Sequence, residues 1–116
     1  YNVPTQGHIR TSGSHEAFAM AAGEMSDNEF EGFLASFLRA AMPFITDTAL
    51  FYVCMDWRHI DHLNAATKAQ GLIAQNLCVW SKTNAGMGSF YRSQHELIGV
   101  YSCCKKFQNN IDYFVN

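Results

Sequence analysis

Strand-length apolar runs alternate in this chain with segments whose apolar residues recur at helical spacing, a pattern that restricts it to an α/β layered sheet. Ala49 to Met55 (ALFYVCM) is continuous, aromatic and β-branched, as expected of a strand buried on both faces. Leu77 to Trp80 (LCVW) reads as a second buried strand and His95 to Tyr101 (HELIGVY) as a third; residues 1 to 4 read as the tail of another. Ser26 and Glu29 have the spacing of a capping box, which predicts a helix from Ser26 onward. Phe30, Phe33, Leu34, Phe37, Leu38 and Ala41 form its core stripe, and Pro43 ends it. Residues 59 to 70 read as a second helix, closed by Gly71. The last two strands are joined by a loop without a helix. Parallel neighbours need a long crossover, so the last strand is expected to run antiparallel. Ligands in such sheets sit beyond the carboxyl ends of the strands, where Tyr1-Asn2, Asp56-Trp57-Arg58 and Lys82-Thr83-Asn84 fall.

The 116 residues fit a single domain, and 48% hydrophobic against 16% charged residues supports a packed core rather than disorder. A net charge of -2 and a pI near 6.2 do not make the basic surface of a self-sufficient nucleic-acid binder. Any such role must rest on a local site. No apolar run approaches the roughly 20 residues that span a bilayer and no leader pattern is visible, so a soluble, cytoplasmic protein is expected. Cys54, Cys78, Cys103 and Cys104 form no CxxC pair. Cys54 and Cys78 read as small hydrophobes within strands, without a disulfide framework. Residues 5 to 25, rich in Gly, Ser, Thr and His, read as one long loop.

The residues with chemistry each admit two readings. Phe90 and Tyr91 are aromatics on a glycine-rich loop, either a stacking platform or a flap folded back on the sheet edge. Lys82 and Arg92 can meet phosphates or form ion pairs. Gly86 and Gly88 suit turn geometry. Asp56 either shapes a pocket or caps the helix after it. His95-Glu96 suggests acid–base work, or hydrogen bonding that sets the loop. His59 and His62, three apart on a helix, can support a metal only with further ligands, and no matching Cys or carboxylate spacing marks one.

Asn76 to Tyr101 (NLCVWSKTNAGMGSFYRSQHELIGVY) closely resembles the amino-group DNA methyltransferases with the DPPY motif. The resemblance is to the group whose catalytic region precedes the donor-binding region, which reads similarly through Trp-x-Lys, Gly-x-Gly-Ser-Phe-Tyr-Arg-Ser and His-Glu. Tyr1-Asn2-Val3-Pro4 looks like the stretch immediately after Asp-Pro-Pro in that group. Phe51 to Arg58 looks like the next strand and loop, and Phe18 to Met25 is also similar. The resemblance covers residues 1 to 101. Asp-Pro-Pro and the glycine-rich donor motif are absent, and residues 102 to 116 diverge from the family as a tail.

The resemblance implies a Rossmann-like methyltransferase sheet, incomplete, with an antiparallel last strand. It implies methyl transfer from S-adenosylmethionine to a flipped adenine amino group, or less readily cytosine N4, in DNA. It places Tyr1 and Asn2 in the catalytic motif, and Phe90, Tyr91, Asp56 and Lys82 around the base. Arg92 and Asn84 fall on the DNA. The piece alone is expected to be inactive. A non-catalytic DNA-binding or self-associating module, such as a homodimer through exposed sheet edges, is the alternative. RNA as the substrate is a further reading that only the family resemblance disfavours.

Overall fold

The computed structural model describes residues 25–86 and 90–111. Helix α1 spans Asp27–Ala41 and starts where the capping box places it. The Ser26 hydroxyl accepts from the Glu29 backbone N–H at 3.4 Å, and Glu29 Oε2 accepts from the Ser26 N–H at 2.8 Å. Phe30, Leu34 and Leu38, spaced four apart, form the buried row, with Phe33 half-buried beside it and Phe37 exposed. The inward stripe is therefore narrower than the spacing predicted. Pro43 falls in a short 3-10 turn, Met42–Phe44, that ends the helix.

Strand β1 is Leu50–Met55, and a 3-10 turn at Trp57–His59 leads into helix α2, Ile60–Ala69. α2 ends in a Schellman motif. The N–H of Leu72 reaches Thr67 O and that of Gly71 reaches Lys68 O, each at 3.0 Å. Gly71 takes the left-handed φ of 78° that this motif needs, which a β-carbon would strain. Strand β2 follows at Ile73–Ser81 and strand β3 at His95–Ser102.

The sheet order is β1-β3-β2, with β3 antiparallel to both neighbours. The last strand is antiparallel as expected, but it sits between the other two rather than at the end. The α2 crossover sets β1 and β2 parallel with a one-strand gap, and the direct β2–β3 connection fills that gap. Met55 and Val79 both pair with Leu97, so the carboxyl ends of β1 and β2 lie at one end of the sheet. An irregularity between Ala74 and Asn76 leaves Gln75 out of the pairing, and its amide donates to Ser102 Oγ at 2.7 Å.

The described helices cover one face of the sheet. Met55 and Tyr101 are buried there against Phe30, Leu34, Leu38, Leu63, Ala66 and Leu72, with Phe51 and Val53 packed alongside. On the opposite face Tyr52 and Trp80 are 62% and 58% exposed. β2 is exposed along nearly its whole length. This corrects the expectation that β1 and β2 are buried on both faces: the runs have the composition of doubly covered strands, but the described helices form one layer. Cys54 and Cys78 are exposed rather than core hydrophobes. They flank Ile98 on adjacent strands. That puts them two strand spacings apart, roughly 10 Å, beyond the reach of a disulfide.

Tyr101 ties the sheet to the helices. Its ring lies back across Gly99, and its hydroxyl donates to Asn64 Oδ1 on α2 at 2.8 Å. A β-carbon at Gly99 would stand 2.5 Å from the Tyr101 hydroxyl oxygen. Tyr101 is buried and has no free direction in which to yield. Gly99→Ala is expected to destabilise the chain by roughly 1–3 kcal/mol through overpacking, read as a lower urea midpoint at unchanged slope.

The capping box carries a pH signature. Its hydrogen bonds from the Ser26 side chain and then the Ser26 backbone hold the Glu29 carboxyl below its ordinary 4.5. A lowered carboxylate contributes stability above the unfolded value and loses it as pH falls through the folded one. Ser26→Ala is expected to cost about 1 kcal/mol at neutral pH. In urea titrations across pH, the difference from the parent chain should shrink as the pH falls below 4.5.

Candidate functional site

Two of the three segments singled out in the sequence, those at Asp56 and Lys82, lie at the end of the sheet where β1 and β2 finish and β3 begins. Asp56 follows β1 and Lys82 follows β2, with β3 between them. Their strands are two spacings apart, roughly 10 Å.

The Asp56 carboxylate is engaged locally. It caps the 3-10 turn through the Arg58 N–H at 3.0 Å, and the Arg58 guanidinium binds the same carboxylate at 3.1 and 3.2 Å. Arg58 in turn lies 4.8 Å from the Trp57 ring centre, a cation–π contact on a half-exposed indole. The cap is thus on the short turn rather than directly on α2. Lys82 is half-buried and its ammonium is paired with the Glu96 carboxylate. The His95-Glu96 pair therefore contributes a loop-setting carboxylate, one of its two expected readings.

Gln94 is a residue the sequence did not bring forward. Its side-chain amide donates to Lys82 O at 2.9 Å and to Thr83 O at 3.3 Å, while its own carbonyl accepts from the Lys82 N–H at 2.8 Å. A glutamine before a strand carries no motif, so only the three-dimensional fold reveals its place. Further out, Gly86 N–H donates to Ser93 O at 2.8 Å. Gly86 takes no left-handed φ, and Gly88 lies outside the described residues.

Beyond this pinned base stand Phe90 and Tyr91, each 85% exposed, with ring centres 4.4 Å apart in an edge-to-face arrangement. They are not folded back on the sheet edge. Asn84 and Arg92 are exposed on the same connection. A shallow, open depression is lined by Trp80, Ser81, Lys82, Thr83 and Asn84. Tyr1 and Asn2 lie outside the described residues. Among the described residues no helix is long and apolar enough to cross a membrane.

A family model described as DNA methylase matches residues 1–116. No curated protein matches the chain. Among solved structures, the crystal structure of the M1.HpyAVI–SAM complex is similar at 15% sequence identity with a TM-score of 0.56. The similarity covers 69% of this chain and 47% of that one, so the chain spans about half the length of the structure it matches. At this identity the likeness shows the fold.

Proposed function

The chain belongs to the DNA methylase family, and from that premise we propose that it forms the nucleobase side of a methyltransferase acting on an amino group in DNA. The observation that carries the reading is the Phe90–Tyr91 pair, exposed beyond the sheet end where β1 and β2 finish. An exocyclic amino nitrogen is conjugated into its base and is a weak nucleophile. The base must leave the duplex and be held in line with the donor methyl, and aromatic faces do the holding. Two adjacent exposed rings on a pinned loop fit that task, since every base offers a π face.

Adenine N6 is the preferred target and cytosine N4 the second; the solved relative is named as a complex with S-adenosylmethionine. The parent enzyme would take that donor. Its binding does not fit the residues described here: the Trp80–Asn84 depression is open, and its one charged side chain, Lys82, is held by Glu96. The chemistry therefore belongs to the whole enzyme. What these residues supply is orientation. Asn84 and Arg92 reach toward the phosphates, and Gln94 with the Lys82–Glu96 pair stiffens the loop base. Tyr1 and Asn2, outside the described residues, take their part in base contact from the family's motif alone. A cytoplasmic location accords with such a substrate.

The test is binding of the full chain to a DNA duplex carrying one mismatched adenine, measured by fluorescence anisotropy. Base stacking on an aromatic is worth roughly 1–3 kcal/mol. Phe90→Ala and Tyr91→Ala should each weaken binding by about 5-fold or more while leaving the unfolding midpoint in place, because neither ring is in the core. Equal affinity of parent and variants removes these rings from base contact.

A second reading is favoured by the sheet itself. Among the described residues β1 and β2 each have one unpaired edge, and Tyr52, Cys54, Cys78 and Trp80 expose an apolar face. Self-association through these surfaces is expected to appear in sedimentation velocity as a coefficient that rises with concentration. A constant monomer value across the series counts against it.

A further inference from the structure

Asp27, His59 and His62 each offer one ligand atom, and the three atoms lie within 4.8 Å of one another. They come from separate elements. Asp27 is in the first turn of α1, His59 ends the 3-10 turn after β1, and His62 is in the first turn of α2. The histidine spacing is visible in the sequence; the carboxylate that completes the set comes from a residue more than thirty positions away.

The geometry points to a divalent transition-metal site, of the zinc class, held by Asp27, His59 and His62. Four features carry it. First, His62 Nε2 already stands 3.6 Å from Asp27 Oδ1. Bonds of about 2.0–2.2 Å around a tetrahedral ion place ligand atoms roughly 3.3 Å apart, so this pair closes with a small movement of Asp27, whose side chain is exposed, while His59 closes from within 4.8 Å. Second, the other ring nitrogen of His62, Nδ1, is 2.7 Å from Glu31 Oε1. A carboxylate can only accept, so Glu31 holds the Nδ1 proton, and the neutral form of the ring then offers its Nε2 lone pair on the Asp27 side, the carboxylate–histidine arrangement that orients metal ligands. Third, the buried Phe30 ring packs edge-on against both imidazoles, with centres 5.0 Å from His59 and 6.5 Å from His62. It holds the two rings 5.5 Å apart by centre. Fourth, Asp27, Glu31 and Asp61 surround the histidines, and Asp61 lies 3.9 Å from His62 Nε2, so the local field favours a cation.

Mixed imidazole and carboxylate donors suit zinc, cobalt, nickel or copper and not magnesium or calcium, which take oxygen alone. Three protein ligands leave a fourth position for water. The ion would clip the start of α1 to the turn between β1 and α2. That turn begins at Asp56, so the clip would stiffen one wall of the candidate site without belonging to it. The site rests on its own residues and stands or falls apart from the base-contact reading.

The test uses the full chain titrated with zinc(II) in a calorimeter and with cobalt(II) in an absorption spectrometer. The expected result is one saturable site that raises the thermal midpoint. Its cobalt spectrum should lack thiolate charge-transfer bands, which separates it from the four cysteines. Asp27→Asn and His62→Gln should each lose at least 10-fold in affinity, and Glu31→Gln about 10- to 100-fold as a partner that only orients His62. Asp27 and Glu31 lie outside the core, so these two variants keep the fold, which circular dichroism checks. A His8→Ala/His15→Ala double variant should bind as the parent does. No saturable binding, binding that survives His62→Gln, or binding that vanishes with the His8/His15 pair overturns the site.

Discussion

β3 is the strand on which the rest depends, because it is the one that both outer strands hydrogen-bond. Its inner face is anchored at Tyr101. The ring, folded back over Gly99, passes its hydroxyl to Asn64 on α2, so sheet and helix layer are joined by a buried aromatic and one directional bond. Burial of the ring supplies the larger, non-directional share of that attachment, and the hydrogen bond sets its register. A glycine in a central strand normally weakens it; here the space is filled by the neighbouring aromatic. The end of the sheet that carries Lys82, Gln94 and Glu96 inherits its position from this anchor.

Much of the architecture was legible in the chain. The Ser26–Glu29 spacing placed the start of α1, the run ending at Met55 placed β1, and Gly71 closed α2, because each of these signals is local. The antiparallel sense of β3 followed from the missing crossover helix. Its place between β1 and β2 did not, since strand order depends on how far the α2 crossover carries the chain sideways. The exposure of Cys54, Cys78 and Trp80 was not legible. A run of apolar residues reports the cover a strand is suited to, and the described helices cover one face alone. The extra length of β2, from Ile73 rather than Leu77, was hidden by the polar pair Gln75 and Asn76, which sit at the irregularity in its pairing with β3.

The candidate site was legible in part for the same reason. Phe90 and Tyr91 announced themselves as aromatics where a loop has no core to fill. Their pairing at 4.4 Å and their stance off the sheet belong to the three-dimensional fold. Asp56 and Lys82 were visible as charges after strands, but their partners Arg58 and Glu96 were not. An ion pair two residues away and one across a loop look the same in a sequence as solvated charge. Asp27 and Glu31 carried no metal-site signal, because they lie on a different helix from the histidines they face.

The connection from Lys82 to Gln94 is a hairpin, closed at its base by the Lys82–Gln94 backbone and amide bonds, and none of the described strands passes through it. A further bond from Gly86 to Ser93 extends the closure, and residues added or removed beyond it change chiefly the entropy of a loop whose ends are already fixed, about 0.6 kcal/mol for each doubling of length. Everything outward of the closure can be rewritten at small cost to the sheet. A scaffold built this way can trade one set of outward-facing side chains for another and remain the same fold, so that what the loop grips is free to diverge faster than what holds it.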